Sequence, residues 1–96
     1  MDFISISNLY DCYKTLLTVK QQQYFEDYYF HNLTLSEMGE NYDISRNAIH
    51  KQLKEVETKL KDYEDKLKLF SKRQKMEQLI KKVDNVEVKK ELEELI

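Results

Sequence analysis

Seven apolar residues, Ile49, Leu53, Val56, Leu60, Tyr63, Leu67 and Phe70, recur at alternating steps of four and three. This spacing holds a stripe on one face of a helix, and it is incompatible with a strand, whose faces alternate at every residue. It predicts a single helix of about 24 residues, on the order of 36 Å long. In heptad terms Leu53, Leu60 and Leu67 take the a positions and Ile49, Val56, Tyr63 and Phe70 the d positions. Such a helix outruns the small core that its first turns join. Its later seam, Val56, Leu60, Tyr63, Leu67 and Phe70, is therefore expected to meet a second subunit or the tail folding back, and a homodimer is expected.

The rest of the chain agrees with an all-α fold. It has no proline and one glycine, Gly39, too few for the turns of a sheet-rich fold. Ile6, Leu9, Tyr10, Tyr13, Leu16 and Leu17 predict a first helix over roughly 5–17. Thr18 and Gln21 form a capping box before a second helix through Tyr24, Phe25, Tyr28 and Tyr29. His31, Asn32 and Leu33 break the pattern. Thr34 and Glu37 form another box, opening a short third helix through Met38 and Tyr42. Ser45 caps the long fourth helix. Ser71 and Gln74 read as a further box for a fifth helix striped by Met76, Leu79, Ile80 and Val83. The stretch from Asp84 to Glu87 restarts a sixth through Val88, Leu92, Leu95 and Ile96. Two regions follow: a domain over 1–70 that ends in the long helix, and a C-terminal helical hairpin over 71–96 packed on it or on a partner subunit.

Charge is divided along the chain. Residues 1–44 hold two basic residues against seven acids, a net −5, and residues 45–96 hold 14 against 11, a net +3. Within the latter, residues 46–82 hold 12 against six, a net +6, so an anionic partner is expected to meet the middle of the chain. The longest apolar run is far short of the ~20 residues that span a bilayer. The N-terminus lacks the basic start of a signal peptide, and Cys12 has no partner for an internal disulfide. A cytoplasmic protein with no membrane insertion is expected. His31 and His50 do not have metal-ligand spacing, no glycine-rich loop cradles a phosphate, and Cys12 reads as a packing residue. Neither an enzyme nor a metal or other cofactor is expected.

The stretch from Leu35 to Leu53 carries the functional signal. Two helices that cross closely need a small residue at the crossing, and Gly39 fills that place. Met38, Tyr42, Ile44, Ile49 and Leu53 supply its apolar contacts. Ser45 then turns the start of the next helix outward, where Arg46, Asn47, His50, Lys51 and Lys54 cluster. Arginine and asparagine make paired hydrogen bonds to base edges, and lysine and free backbone amides suit phosphates. Duplex DNA is the expected partner.

These residues carry a resemblance. The run TLSEMGENYDISRNAIHKQL, from Thr34 to Leu53, resembles the helix-turn-helix of region 4 in bacterial sigma factors. More closely, the chain resembles the YlxM family of helix-turn-helix proteins. KQQQYFEDYY from Lys20 resembles the family's run before the motif, ISRNAI from Ile44 its turn and recognition start, and LKDYEDKL from Leu60 its long following helix. Gly39 stands where alanine is commoner, and Asp43 where the turn usually has glycine. The resemblance implies an all-α DNA-binding regulator acting in the signal recognition particle pathway, with that particle's RNA or protein as further partners.

Two other readings use the same residues. In one, the helix-turn-helix shape is kept without DNA binding, and Tyr24, Tyr28, Tyr29 and the heptad seam dock a protein; those tyrosines read equally as core. In the other, the basic patch binds RNA. Single-stranded RNA readers set exposed aromatics among basic residues, whereas the aromatics here fall mostly in the acidic half, which favours duplex DNA.

Overall fold

Short polar side chains open most of the helices in the computed structural model, which describes residues 2–96. Asp2 accepts from the Ser5 amide and starts α1 (Phe3–Tyr13). Thr18 and Gln21 exchange hydrogen bonds at the start of α2 (Val19–Tyr29), and Thr34 and Glu37 do the same for α3 (Leu35–Tyr42). Ser45 accepts from the Ala48 amide and opens α4 (Arg46–Leu67). The tail comprises α5 (Leu69–Ile80) and α6 (Val86–Glu93), the latter capped by Asn85 rather than Asp84. Among the described residues there is no strand. Each cap satisfies amide donors that the first helical turn leaves free.

Two joined clusters make the core. Ile6, Leu9, Tyr10, Tyr13 and Leu17 pack with Phe25 of α2 and with Val56 and Leu60 of α4. Within this cluster the Tyr10 and Phe25 rings lie stacked 4.2 Å apart. The second cluster joins Tyr24, Met38, Ile49 and Leu53, flanked by Leu33, Leu35 and Tyr42, and holds α3 across the start of α4. The Tyr42 hydroxyl donates to Asp27 and ties α3 back to α2. Burial, reinforced by that carboxylate, pushes its ionisation up to about 12. The long α4 and the tail give the molecule extents of 55 × 25 × 22 Å.

Several sequence expectations change here. The first helix ends at Tyr13 rather than 17. A 3-10 turn over Lys14–Leu16 follows, leaving Leu16 half exposed while Leu17 swings back into the core. The long helix stops at Leu67, where Lys68 takes a left-handed conformation, so Phe70 belongs to α5. Val56 and Leu60 of the expected subunit seam are fully buried by α1 and α2 of the same chain. A heptad stripe records that a face is covered and leaves open what covers it. Tyr63 and Phe70 pack at the edge of this cluster, and Leu67 is exposed. In α5 only Ile80 of the expected stripe is buried, and Leu79 is half exposed.

Ser71 does not cap α5; it lies inside the helix. The acceptor comes from Glu64, one turn before the end of α4. Its carboxylate takes the Phe70 amide at 3.1 Å, the Ser71 amide at 3.2 Å, the Ser71 hydroxyl at 2.7 Å and the Tyr13 hydroxyl at 2.5 Å. The Tyr13 oxygen in turn accepts from the Leu69 amide at 3.0 Å. Burial works to raise the Glu64 pKa, but these four donors outweigh it and hold the carboxyl below the ordinary range. One carboxylate thus fastens α1, α4 and α5 together.

At the α3–α4 crossing, a Cβ on Gly39 would lie 2.8 Å from the Ile44 carbonyl oxygen and 3.5 Å from the Arg46 amide nitrogen. The obstacle is backbone, so the turn itself would have to move. Overpacking costs roughly 1–3 kcal/mol, against about 1 kcal/mol of helix propensity gained by alanine. Gly39→Ala is therefore expected to destabilise the protein by about 1 kcal/mol, lowering Tm by roughly 4–8 °C in thermal unfolding followed by circular dichroism. Ile44 contributes to this crossing through its backbone: its amide donates to the Gly39 carbonyl at 3.0 Å, while its side chain is 37% exposed rather than buried in the motif core.

Candidate nucleic-acid interface

The turn between α3 and α4 is three residues long, Asp43–Ile44–Ser45. Asp43 takes the left-handed conformation (φ 54°), with its amide turned back toward the Gly39 and Glu40 carbonyls. This geometry aims the first turns of α4 away from the core. Ser45, Arg46, Asn47, His50, Lys51 and Lys54 are all exposed there. At 3.6 residues per turn, positions 46 to 54 of this set span about 140° of the helix surface. Ile49 and Leu53, on the other side, are anchored in the second cluster.

The electrostatics of the face follow from its composition. From Ile44 to Lys54 the chain holds three cations and no acid. The side chains of Arg46 and Lys51 make no ion pair among the described residues, and Lys54 stands 3.8 Å from Glu57, one turn further along α4. The amides at the start of α4 add partial positive charge at the same end. Acids flank the face on the α3 side, at Glu37, Glu40 and Asp43, all exposed. Asp43 carries both a charge and a conformation that glycine adopts more readily.

The other chemistry-bearing side chains lie elsewhere. Cys12 is half-buried against the first cluster, and burial pushes its thiol pKa up, away from nucleophilic character. His31 sits in the α2–α3 loop with its Nδ1 3.2 Å from Asp27, well separated in role from His50 on α4. Of the tyrosines weighed for protein docking, Tyr24 is buried in the second cluster. Tyr29 is half-buried and donates its hydroxyl to Glu57, and Tyr28 is exposed.

Folding also brings aromatics to the basic face, which sequence order had placed in the acidic half. Tyr28 and Tyr29 line one hollow with Arg46 and a second with His50 and Lys54. The expectation that aromatics stand apart from the cations is thereby overturned: seventeen or more residues separate them along the chain, but α2 lies alongside α4. No local pattern reports that neighbourhood, because it is set by which face of α4 the second helix covers.

A short helix crossed over an outward-pointing helix start, with a glycine at the crossing and a three-residue turn, defines a helix-turn-helix protein. The chain belongs to the family described as "Putative helix-turn-helix protein, YlxM / p13 like", whose model matches residues 2–96. A UPF0122 protein of Malacoplasma penetrans is 50% identical over 54 residues, covering 56% of this chain and 50% of its own length. A UPF0122 protein of Fusobacterium nucleatum is 42% identical over 53 residues, 55% of this chain and 52% of its own. One from Thermoanaerobacter sp. is 44% identical over 57 residues, 59% and 49% respectively. The chain thus spans about half the length of the curated relatives it matches. No helix among the described residues is long and apolar enough to cross a membrane.

Proposed function

We propose that this protein is a DNA-binding regulator of helix-turn-helix type, and that the first turns of α4 are its contact surface. The observation that carries this reading is the acid-free, outward-facing run from Ile44 to Lys54 on a helix whose opposite side is locked into the core. Arg46 and Asn47 have the bidentate geometry for base edges, and His50, Lys51 and Lys54 suit phosphates and base acceptors. The family resemblance places such a regulator in the signal recognition particle pathway, with that particle's RNA as the competing ligand. Three phosphate contacts would give a log–log salt slope of about −3 on duplex DNA. Anisotropy of a labelled duplex across a salt series measures it, with signal recognition particle RNA and a scrambled RNA alongside. A flat salt response on all three ligands contradicts the proposal.

Asp43 supplies a second check on the same surface. Asp43→Gly relaxes a left-handed residue and removes an acid beside Arg46. It is expected to raise stability by about 0.5–1 kcal/mol and to tighten duplex binding a few-fold at low salt, an effect that fades as salt rises.

One observation favours a protein-interaction adaptor as the second reading. On and just after α6, Val86 is 76% exposed and Leu95 73%, an apolar surface with no cover in the chain. Under that reading a protein binds at the tail, and affinity hardly responds to salt.

A further inference from the structure

Two adjoining hollows run along the basic side of α4, and both are walled by Tyr28, Tyr29 and Leu35. The first, about 520 Å³, is completed by Arg46 and Phe3; the second, about 110 Å³, by His50 and Lys54. The larger falls within the size range of pockets that hold small planar ligands. Tyr29 is a fixed wall: its ring lies 4.5 Å from Phe25 and its hydroxyl is held by Glu57. Tyr28 stands edge-on against it at 5.0 Å and 87°, with 38% of its surface still exposed, and Phe3 is 52% exposed. The acid in the second hollow, Glu57, is already engaged by the Tyr29 hydroxyl and by Lys54 at 3.8 Å. What remains open is aromatic surface bordered by cations.

We propose that this groove takes an unpaired nucleobase, stacked on Tyr28, from a nucleic acid whose backbone lies on Arg46, His50 and Lys54. The inference rests on the nucleic-acid reading above and narrows it: the preferred ligand is a duplex that carries a single-stranded extension or loop. Any base presents a flat π-face to an exposed aromatic ring, and neighbouring cations meet the phosphates on either side of it. A fully paired duplex keeps its bases stacked inside and has none to offer a groove at its flank. Cationic lining matches an anionic strand better than it matches a bare apolar peptide.

The test compares a short blunt duplex, the same duplex with a few-nucleotide single-stranded extension, and that extension with its bases removed, each made as DNA and as RNA. The extended probe is expected to bind about tenfold tighter than the blunt one, and the abasic extension to lose the gain. The DNA and RNA arms name the sugar. Tyr28→Leu keeps apolar bulk and is expected to erase the gain while blunt-duplex affinity stays unchanged; Tyr28→Phe retains it. The chain has no tryptophan, so Tyr28→Trp provides a reporter whose emission is quenched by the extended probe and not by the blunt one. Equal affinity for blunt and extended probes, with salt-sensitive binding to both, overturns this inference and leaves the DNA-binding reading standing. Loss of binding to every probe overturns both.

Discussion

Replacing Arg46 and Lys51 together with alanine is expected to weaken duplex binding roughly 100-fold, at about 1–3 kcal/mol for the arginine and a smaller phosphate contribution for the lysine. The salt slope should become shallower by about 1.8, since each lost phosphate contact removes about 0.9. Helicity and Tm should stay at wild-type values. Both side chains are exposed, and the cap on α4 is made by the Ser45 hydroxyl and the Ala48 amide, which the substitutions leave in place. Anisotropy and circular dichroism on the same samples separate loss of contact from loss of fold. Wild-type affinity in a folded double variant would remove this face from consideration.

Glu64→Ala is expected to have the largest effect on the fold of any single exposed-edge substitution. It leaves the Phe70 and Ser71 amides without an acceptor and strips the Tyr13 hydroxyl, on a wholly buried residue, of its carboxylate. Hydrogen bonds to a charged acceptor contribute about 1.5–3 kcal/mol each when buried. Allowing for solvent at this edge, about 2 kcal/mol is lost in all. That corresponds to a Tm lower by roughly 10 °C. Hydrogen exchange should show amides of α5 and α6 losing protection before those of α2 and α3, because α5 is the element that Glu64 fastens. The same carboxylate sets an acid limit. Its pKa is depressed in the folded state, so its contribution is complete above the unfolded glutamate pKa and is lost as pH falls through the lower, folded value. The tail should therefore loosen below about pH 4.5 in wild type, and the Glu64→Ala variant should lack that step.

How far the sequence reaches depends on the range of the interaction that decides each feature. The starts of α2, α3 and α4 are legible because each cap acts within three residues: Thr18 on Gln21, Thr34 on Glu37 and Ser45 on Ala48. The Ser71 box has the same local pattern and is misleading, since Glu64 reaches the free amides first from the preceding helix. The seam on α4 correctly marks a buried face. Its occupant, α1 and α2 over Val56 and Leu60, is settled by tertiary packing that periodicity does not encode. For the candidate interface, the exposed set from Ser45 to Lys54 is visible as a pattern. Its neighbourhood with Tyr28 is visible only once α2 is laid against α4.

The most direct measurement is a backbone amide map by two-dimensional nuclear magnetic resonance of the isotope-labelled protein, titrated with a short duplex. The expected result is a set of shift changes concentrated on the amides of Ser45 to Lys54, extending to Tyr28 and Tyr29 when the duplex carries an unpaired extension, with α6 unmoved. Shift changes confined to residues 86–96, or none at a duplex concentration that saturates binding, would contradict the assignment of the α4 face.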